Sequence, residues 1–233
     1  MFYGIDYLYI VLVLPCVLFA LWAQMNVKTT FAKYSRTSSG GMTGFDSARR
    51  ILDANGLYSV GIAKVSGELT DHYNPSDNTI YLSDNVYDKA TAAAVGVAAH
   101  EAGHAVQHAV GYTPMKLRSA IIPVTQIGSN LAMPLILLGI VLSIRPLAMA
   151  GVIAFGLSTL FQLVTLPVEF DASGRALKAL EANGLSGENL GSAKRVLRAA
   201  ALTYVAALAV SLANLLRLFI IVAGRGNNRK NDR

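Results

Sequence analysis

The stretch from Ile121 to Leu166 reads IIPVTQIGSNLAMPLILLGIVLSI (121–144), then Arg145-Pro146, then LAMAGVIAFGLSTLFQLVTL (147–166). Each apolar run reaches the roughly 20 residues that a helix needs to cross a bilayer, and neither contains Asp, Glu, Lys or Arg. A proline disfavours helix at the residue before it, so Arg145-Pro146 predicts a tight turn between two spans. Such a hairpin returns the chain to the side it left. Whatever precedes Ile121 and whatever follows Leu166 then share one side of the membrane.

Two further runs lie outside the hairpin. Ile5 to Met25 is apolar apart from Asp6 and lacks the basic start and small-residue cleavage site of a secretory signal, so it reads as a retained anchor. Ala199 to Val222 is the fourth span, with Arg217 near its end, where its long side chain can reach the interface. The composition agrees. Of 233 residues, 53% are hydrophobic and 15% charged, against about 25% charged in soluble domains, and mean hydropathy is +0.44. Disorder, a collagen-like rod and a charged coiled coil are excluded, and an ordinary soluble enzyme is disfavoured.

The net charge of +6 fits Lys and Arg gathered beside spans. No nucleic-acid motif accompanies it, so a nucleic-acid partner is not expected. The lone Cys16 permits neither an intramolecular disulfide nor a thiolate zinc cluster. The inner face of the expected topology collects Lys28, Lys33, Arg36, Lys116, Arg118, Arg175, Lys178, Lys194, Arg195 and Arg198. The other face has Arg145 and the tail residues Arg225, Arg229, Lys230 and Arg233. Ten against five predicts that both water-facing regions are cytoplasmic.

In the first of those regions, Thr37 to Thr43 reads as a loop and Phe45 to Ala54 as a helix stopped at Asn55-Gly56. Tyr58 to Val65 and Thr79 to Leu82 read as strands, with Glu68 to Asp77 a polar turn region between them. Leu52-Asp53-Ala54-Asn55-Gly56-Leu57 is echoed by Leu180-Glu181-Ala182-Asn183-Gly184-Leu185, which reads as one helix stop used twice rather than a repeat. Thr91 to Val110 reads as a buried helix.

That helix carries His100-Glu101-Ala102-Gly103-His104. Residues i and i+4 share a helix face, so both imidazoles can reach one ion at about 2.0–2.1 Å, while Glu101 stands beside them as a base for water. His108 is about 12 Å along the axis from His100 and is not a third ligand; it reads as structural or as a partner to the ligand residues. Gly103 costs about 1 kcal/mol of helix stability against Ala, which close backbone approach by a neighbour would explain. A catalytic zinc site usually has three protein ligands and an open position. The candidates for the third are Glu169, Asp171 and His72. Glu169, just past Pro167 in an expected helix first turn, is favoured because the hairpin returns it to the side of the histidines. Asp171 would then orient a histidine.

With Thr70-Asp71-His72-Tyr73-Asn74-Pro75 upstream and Pro167-Val168-Glu169-Phe170-Asp171-Ala172-Ser173 downstream, the motif resembles the YugP-type family of membrane proteins assigned as zinc metallopeptidases. That family is similar in layout to HtpX-type and CAAX-prenyl membrane proteases, a gluzincin arrangement in which a glutamate after a membrane hairpin completes the zinc site. The resemblance implies His100, His104 and Glu169 as zinc ligands and Glu101 as the base. The family pattern has Arg directly after the Ala-Ser pair, whereas Gly174 precedes Arg175 here.

The fold class expected is a mainly α-helical integral membrane protein with four transmembrane helices and a small α+β zincin-like catalytic domain. Its parts are an anchor (1–25), a catalytic region with the motif helix (26–120), the hairpin (121–166), a second catalytic region (167–198), a fourth span (199–223) and a basic tail (224–233). The function expected is a membrane-anchored zinc endopeptidase acting on protein or peptide substrates at the bilayer, alone, with membrane-protein partners or as a homo-oligomer. Thr79 to Leu82 would be an edge strand receiving substrate, and His72, Tyr73 or Tyr112 would be candidates to stabilise the oxyanion. The competing readings are a non-catalytic scaffold with a structural zinc, and an intramembrane (site-2-type) protease. The latter needs an aspartate in a later span, and none of the three spans after the motif contains one.

Overall fold

The computed structural model describes residues 6–231, with side chains described through Gly224. Ile5, the expected start of the first span, and the side chains of the tail residues Arg225, Arg229, Lys230 and Arg233 lie outside the described residues. Among the described residues, four helices are long and apolar enough to cross a membrane: Tyr9–Tyr34, Thr113–Val141, Arg145–Ala182 and Gly187–Gly224. A small three-stranded sheet accompanies them. The chain divides into two compact units.

The first unit comprises 6–22, Leu117–Leu166 and 204–231 of the described chain. It holds a π-helical turn (Tyr9–Val13) leading into the first part of α1 (Leu14–Tyr34), most of α4 (Thr113–Val141), the first half of α5 (Arg145–Ala182) and the later part of α6 (Gly187–Asn231). Small residues let α4 and α5 pack closely. A Cβ at Gly139 would sit 2.3 Å from the Ala148 nitrogen, and one at Gly151 would sit 2.7 Å from the Ala132 oxygen. This is how helices associate in lipid, where apolar side chains gain little from leaving the solvent. Arg217 donates from Nε to Asp6 Oδ2 at 2.9 Å, so the charges near the ends of the first and fourth spans neutralise each other.

The hairpin turn is displaced from its expected place. Leu142–Ile144 form the turn and Arg145-Pro146 open α5. Ser143 takes φ +60° and the Ile144 amide bonds back to the Gly139 oxygen at 2.8 Å, a Schellman-type stop. Proline is at home in a first helical turn, where its missing N–H has no partner to lose.

The second unit comprises Ala23–Lys116 and Pro167–Thr203. Helix α2 (Gly44–Ala54) starts at a reciprocal capping box between Thr43 and Asp46. It ends at Gly56 (φ +71°), with the Leu57 amide bonded to the Leu52 oxygen at 2.9 Å. Helix α5 ends the same way, at Gly184 (φ +89°), with Leu185 bonded to Leu180 at 3.0 Å. The echoed hexapeptide is thus one stop signal used twice.

Strand β1 is Gly61–Val65 rather than Tyr58 to Val65. The Arg49 guanidinium holds the Leu57 and Val60 carbonyls at 2.9 Å each and keeps the segment between them out of the sheet. Within the expected polar turn lies β2 (His72–Asn74), antiparallel to β3 (Thr79–Ser83). The order is β1-β3-β2, with β1 parallel to β3. The segment expected as an edge strand is therefore the central one, because β2 covers its other side.

Helix α3 (Ala92–Ala109) runs through the core, with Val95, Ala98, Ala99 and Ala102 fully buried. Pro167 does not begin a helix; it lies inside α5. The second half of α5 is carried by Val168, Ala172, Ala176 and Leu180, a four-residue stripe that is wholly buried. That burial outweighs the one backbone hydrogen bond the proline removes.

Candidate metal centre

Helix α3 places His100 and His104 one turn apart, with their rings edge to face at 4.6 Å. Helix α5, past the end of its apolar run at Leu166, brings Glu169 against both: its Oε2 is 3.2 Å from His100 Nε2 and 3.5 Å from His104 Nε2. One donor atom from each of the three lies within 4.8 Å of the others. Nitrogen and oxygen donors about 2.0–2.1 Å from a tetrahedral zinc stand about 3.4 Å apart, so the spacing suits that ion.

The two helices meet because Gly103 has no side chain. A Cβ there would stand 2.7 Å from the Ala172 oxygen on α5. The helix-weakening glycine thus marks a close backbone approach.

The chemistry of the donors points the same way. His104 Nδ1 is 3.0 Å from Gln107 Oε1, and Gln107 Nε2 donates to the Val168 oxygen and to Asp171 Oδ2, each at 2.8 Å. With its nitrogen committed, the amide presents an oxygen to His104, so Nδ1 carries the hydrogen. Nε2, which faces the Glu169 carboxylate, is then a lone pair in the neutral ring and an N–H in the charged one, and a bound cation would take the place of that second proton. His100 Nδ1 meets Ser173 Oγ at 3.1 Å. Burial raises the Glu169 carboxyl, but its bonds to His100 and His104 outweigh this and hold it well below the usual carboxylate range. Burial lowers His104, but Glu169 and the charge of Glu101 carry it above its ordinary value.

Glu101 is 7% exposed and accepts the Tyr73 amide of β2 on Oε2 at 2.9 Å. Asp171 lies one amide away from His104 rather than against it, and also accepts Arg175 Nε at 2.6 Å. The arginine displaced by Gly174 thus still finds the acid one turn back. His108 meets the Tyr73 hydroxyl at 3.0 Å and is not among the three donors. His72 is exposed, bonded through Nδ1 to the Thr70 oxygen at 2.8 Å and stacked on Tyr81. Tyr112 lies beneath the Arg175 guanidinium at 5.8 Å. Gln107 and Ser173 escape a reading of the sequence. Gln107 sits on the histidine face of α3, three residues after His104, where an amide reads as an ordinary polar helix residue.

The described residues thus hold four membrane-length helices, a small sheet and a His-His-Glu cluster on two packed helices, with His104 and Glu169 buried and His100 partly so. The chain belongs to the family described as "Putative neutral zinc metallopeptidase", which matches residues 9–223. A relative from Bacillus subtilis (strain 168), "Putative membrane protease YugP", is 45% identical over 224 residues, covering 95% of this chain and 100% of the relative. No solved structure matches the chain.

Proposed function

We propose that this chain is a membrane-anchored zinc endopeptidase that hydrolyses peptide bonds of membrane or membrane-associated proteins, with His100, His104 and Glu169 holding the ion and Glu101 as general base. The observation that carries this reading is the meeting of Glu169 Oε2 with both Nε2 atoms at 3.2 and 3.5 Å, with the buried Glu101 carboxylate next to His100 in the chain. Bound zinc would supply a Lewis acid that polarises a carbonyl and lowers the pKa of water toward about 7.

The chain's own residues do the rest. Glu101 takes the proton of the attacking water and passes it to the leaving amine. Its Oε2 is held by the Tyr73 amide, which fixes the carboxylate and leaves Oε1 to move the proton. The three donors are nearly closed off from solvent, which strengthens each electrostatic contact among them. Since β3 has partners on both sides, an extended substrate would add at an edge strand, β1 or β2.

A site inside a span is disfavoured because α3 is not one of the four membrane-length helices. The intact, buried Glu101 disfavours a purely structural zinc. We infer from the Lys/Arg distribution that the soluble segments face the cytoplasm, and from the Bacillus subtilis relative that the membrane is a bacterial one. The test is proteolysis of an unfolded membrane protein by the purified full chain with zinc. Glu101→Gln should retain the metal and lose cleavage by about 10²-fold or more. Cleavage at the wild-type rate by Glu101→Gln would overturn the assignment.

A further inference from the structure

Gln107 is wholly buried, and nothing in an HExxH pattern calls for an amide three residues beyond the second histidine. Both Nε2 hydrogens have fixed acceptors on α5, the Val168 oxygen and Asp171 Oδ2. Asp171 is in turn held by Arg175 on the next turn of α5. The amide therefore cannot flip without setting its oxygen against two acceptors. Its Oε1 is left facing His104 Nδ1. The corresponding partner of His100 is the Ser173 hydroxyl, which rotates and can donate or accept, so it selects no tautomer.

We propose that Gln107 is the positioning residue of the site: anchored on α5, it fixes the tautomer and ring angle of His104 on α3 and ties the histidine half of the site to the glutamate half. This rests on the reading that His100, His104 and Glu169 hold zinc. Carboxylates commonly take this place behind a ligand histidine. Here a carboxylate would fail, because its second oxygen would face the Val168 oxygen and Asp171 with no hydrogen among the three. The negative charge stands one step further out, on Asp171, and reaches His104 through a neutral amide.

The test measures zinc affinity by chelator competition, and the cobalt(II) absorption spectrum, on the full chain in detergent. Gln107→Leu should bind zinc about 10–100-fold more weakly and shift the cobalt bands. Gln107→Glu should also weaken binding, and Asp171→Asn added to it should recover part of the loss by returning a donor to the third position. This pair keeps the test usable if Gln107→Leu does not fold. Thr43→Ala, which strips the cap from α2, should lower the melting temperature and leave zinc affinity unchanged. Wild-type affinity and an unaltered cobalt spectrum in Gln107→Leu would overturn the proposal, as would an equal loss in Thr43→Ala. A wild-type chain that binds no zinc would overturn the zinc reading itself, whereas tight wild-type binding with an indifferent Gln107 removes only this inference.

Discussion

A Cβ on Gly103 would stand 2.7 Å from the Ala172 carbonyl oxygen, so the distance between α3 and α5, and with it the reach of Glu169 to the histidines, is set by one missing methyl group. The opposing atom is backbone and cannot swing aside. Gly103→Ala should therefore destabilise the fold by about 1–3 kcal/mol, despite the helix propensity of about 1 kcal/mol that alanine brings. It should also weaken zinc. Gly174 is the contrast, since a Cβ there would have nothing within 4 Å. Gly174→Ala should stabilise by up to about 1 kcal/mol. Chemical denaturation of both variants checks the pair.

The ligand assignment predicts one zinc per chain. His100→Ala, His104→Ala and Glu169→Ala should each lose it, because two donors and water make a poor zinc site. Metal analysis after purification measures this. Full occupancy in Glu169→Ala, with loss in Asp171→Ala or His72→Ala, would move the third ligand elsewhere.

On the proposed assignment, zinc removal should also lower stability, since the ion would bind the folded chain and join α3 to α5. At a free concentration 100 times the dissociation constant, linkage gives about 2.7 kcal/mol. A chelator should thus lower the melting temperature of wild type and leave that of His104→Ala unmoved.

A membrane hairpin should put Ser38 and Ser186, both exposed, on one side. With Cys16 replaced, single cysteines at the two positions should be labelled by an impermeant reagent from the same face, the cytoplasmic one. Labelling from opposite faces would break the proposed topology.

Two aspartates give opposite pH slopes. The Thr43 hydroxyl and amide hold the Asp46 carboxyl below its ordinary value. The stability this adds is present above the unfolded aspartate pKa of about 3.9 and is lost as pH falls through the lower folded value. Asp71 is raised, first by burial and further by Glu101, against the bonds it accepts from Ser83. Its contribution is present below about pH 3.9 and is lost as pH rises through the folded value. Asp71→Asn keeps partners for Ser83 and removes the buried charge, so it should be neutral or stabilising at pH 7 and should abolish the loss of stability that Asp71 contributes as pH rises above about 3.9. Melts between pH 4 and 7 measure this.

Much of this molecule is legible as local pattern. The four apolar runs announce the four long helices, because length and hydropathy are local properties. The i, i+4 histidines announce a shared helix face, and Asn-Gly announces two helix stops. Local pattern fails where a distant contact decides the backbone. Apolar content marks where a span ends but not where a helix ends, so α5 runs on through Pro167, held by the buried stripe from Val168 to Leu180. β2 is hidden because only Tyr73 of its three residues is buried. β3 takes the centre of the sheet because β2 folds back on it, a pairing no single strand records. At the site, residue type and spacing name the two histidines and Glu101. Gln107 can be recognised only once α5 lies against α3, because what distinguishes it from any polar helix residue is that both of its amide hydrogens, and its oxygen, are spent on partners close in space, two of them more than 60 positions away in the chain.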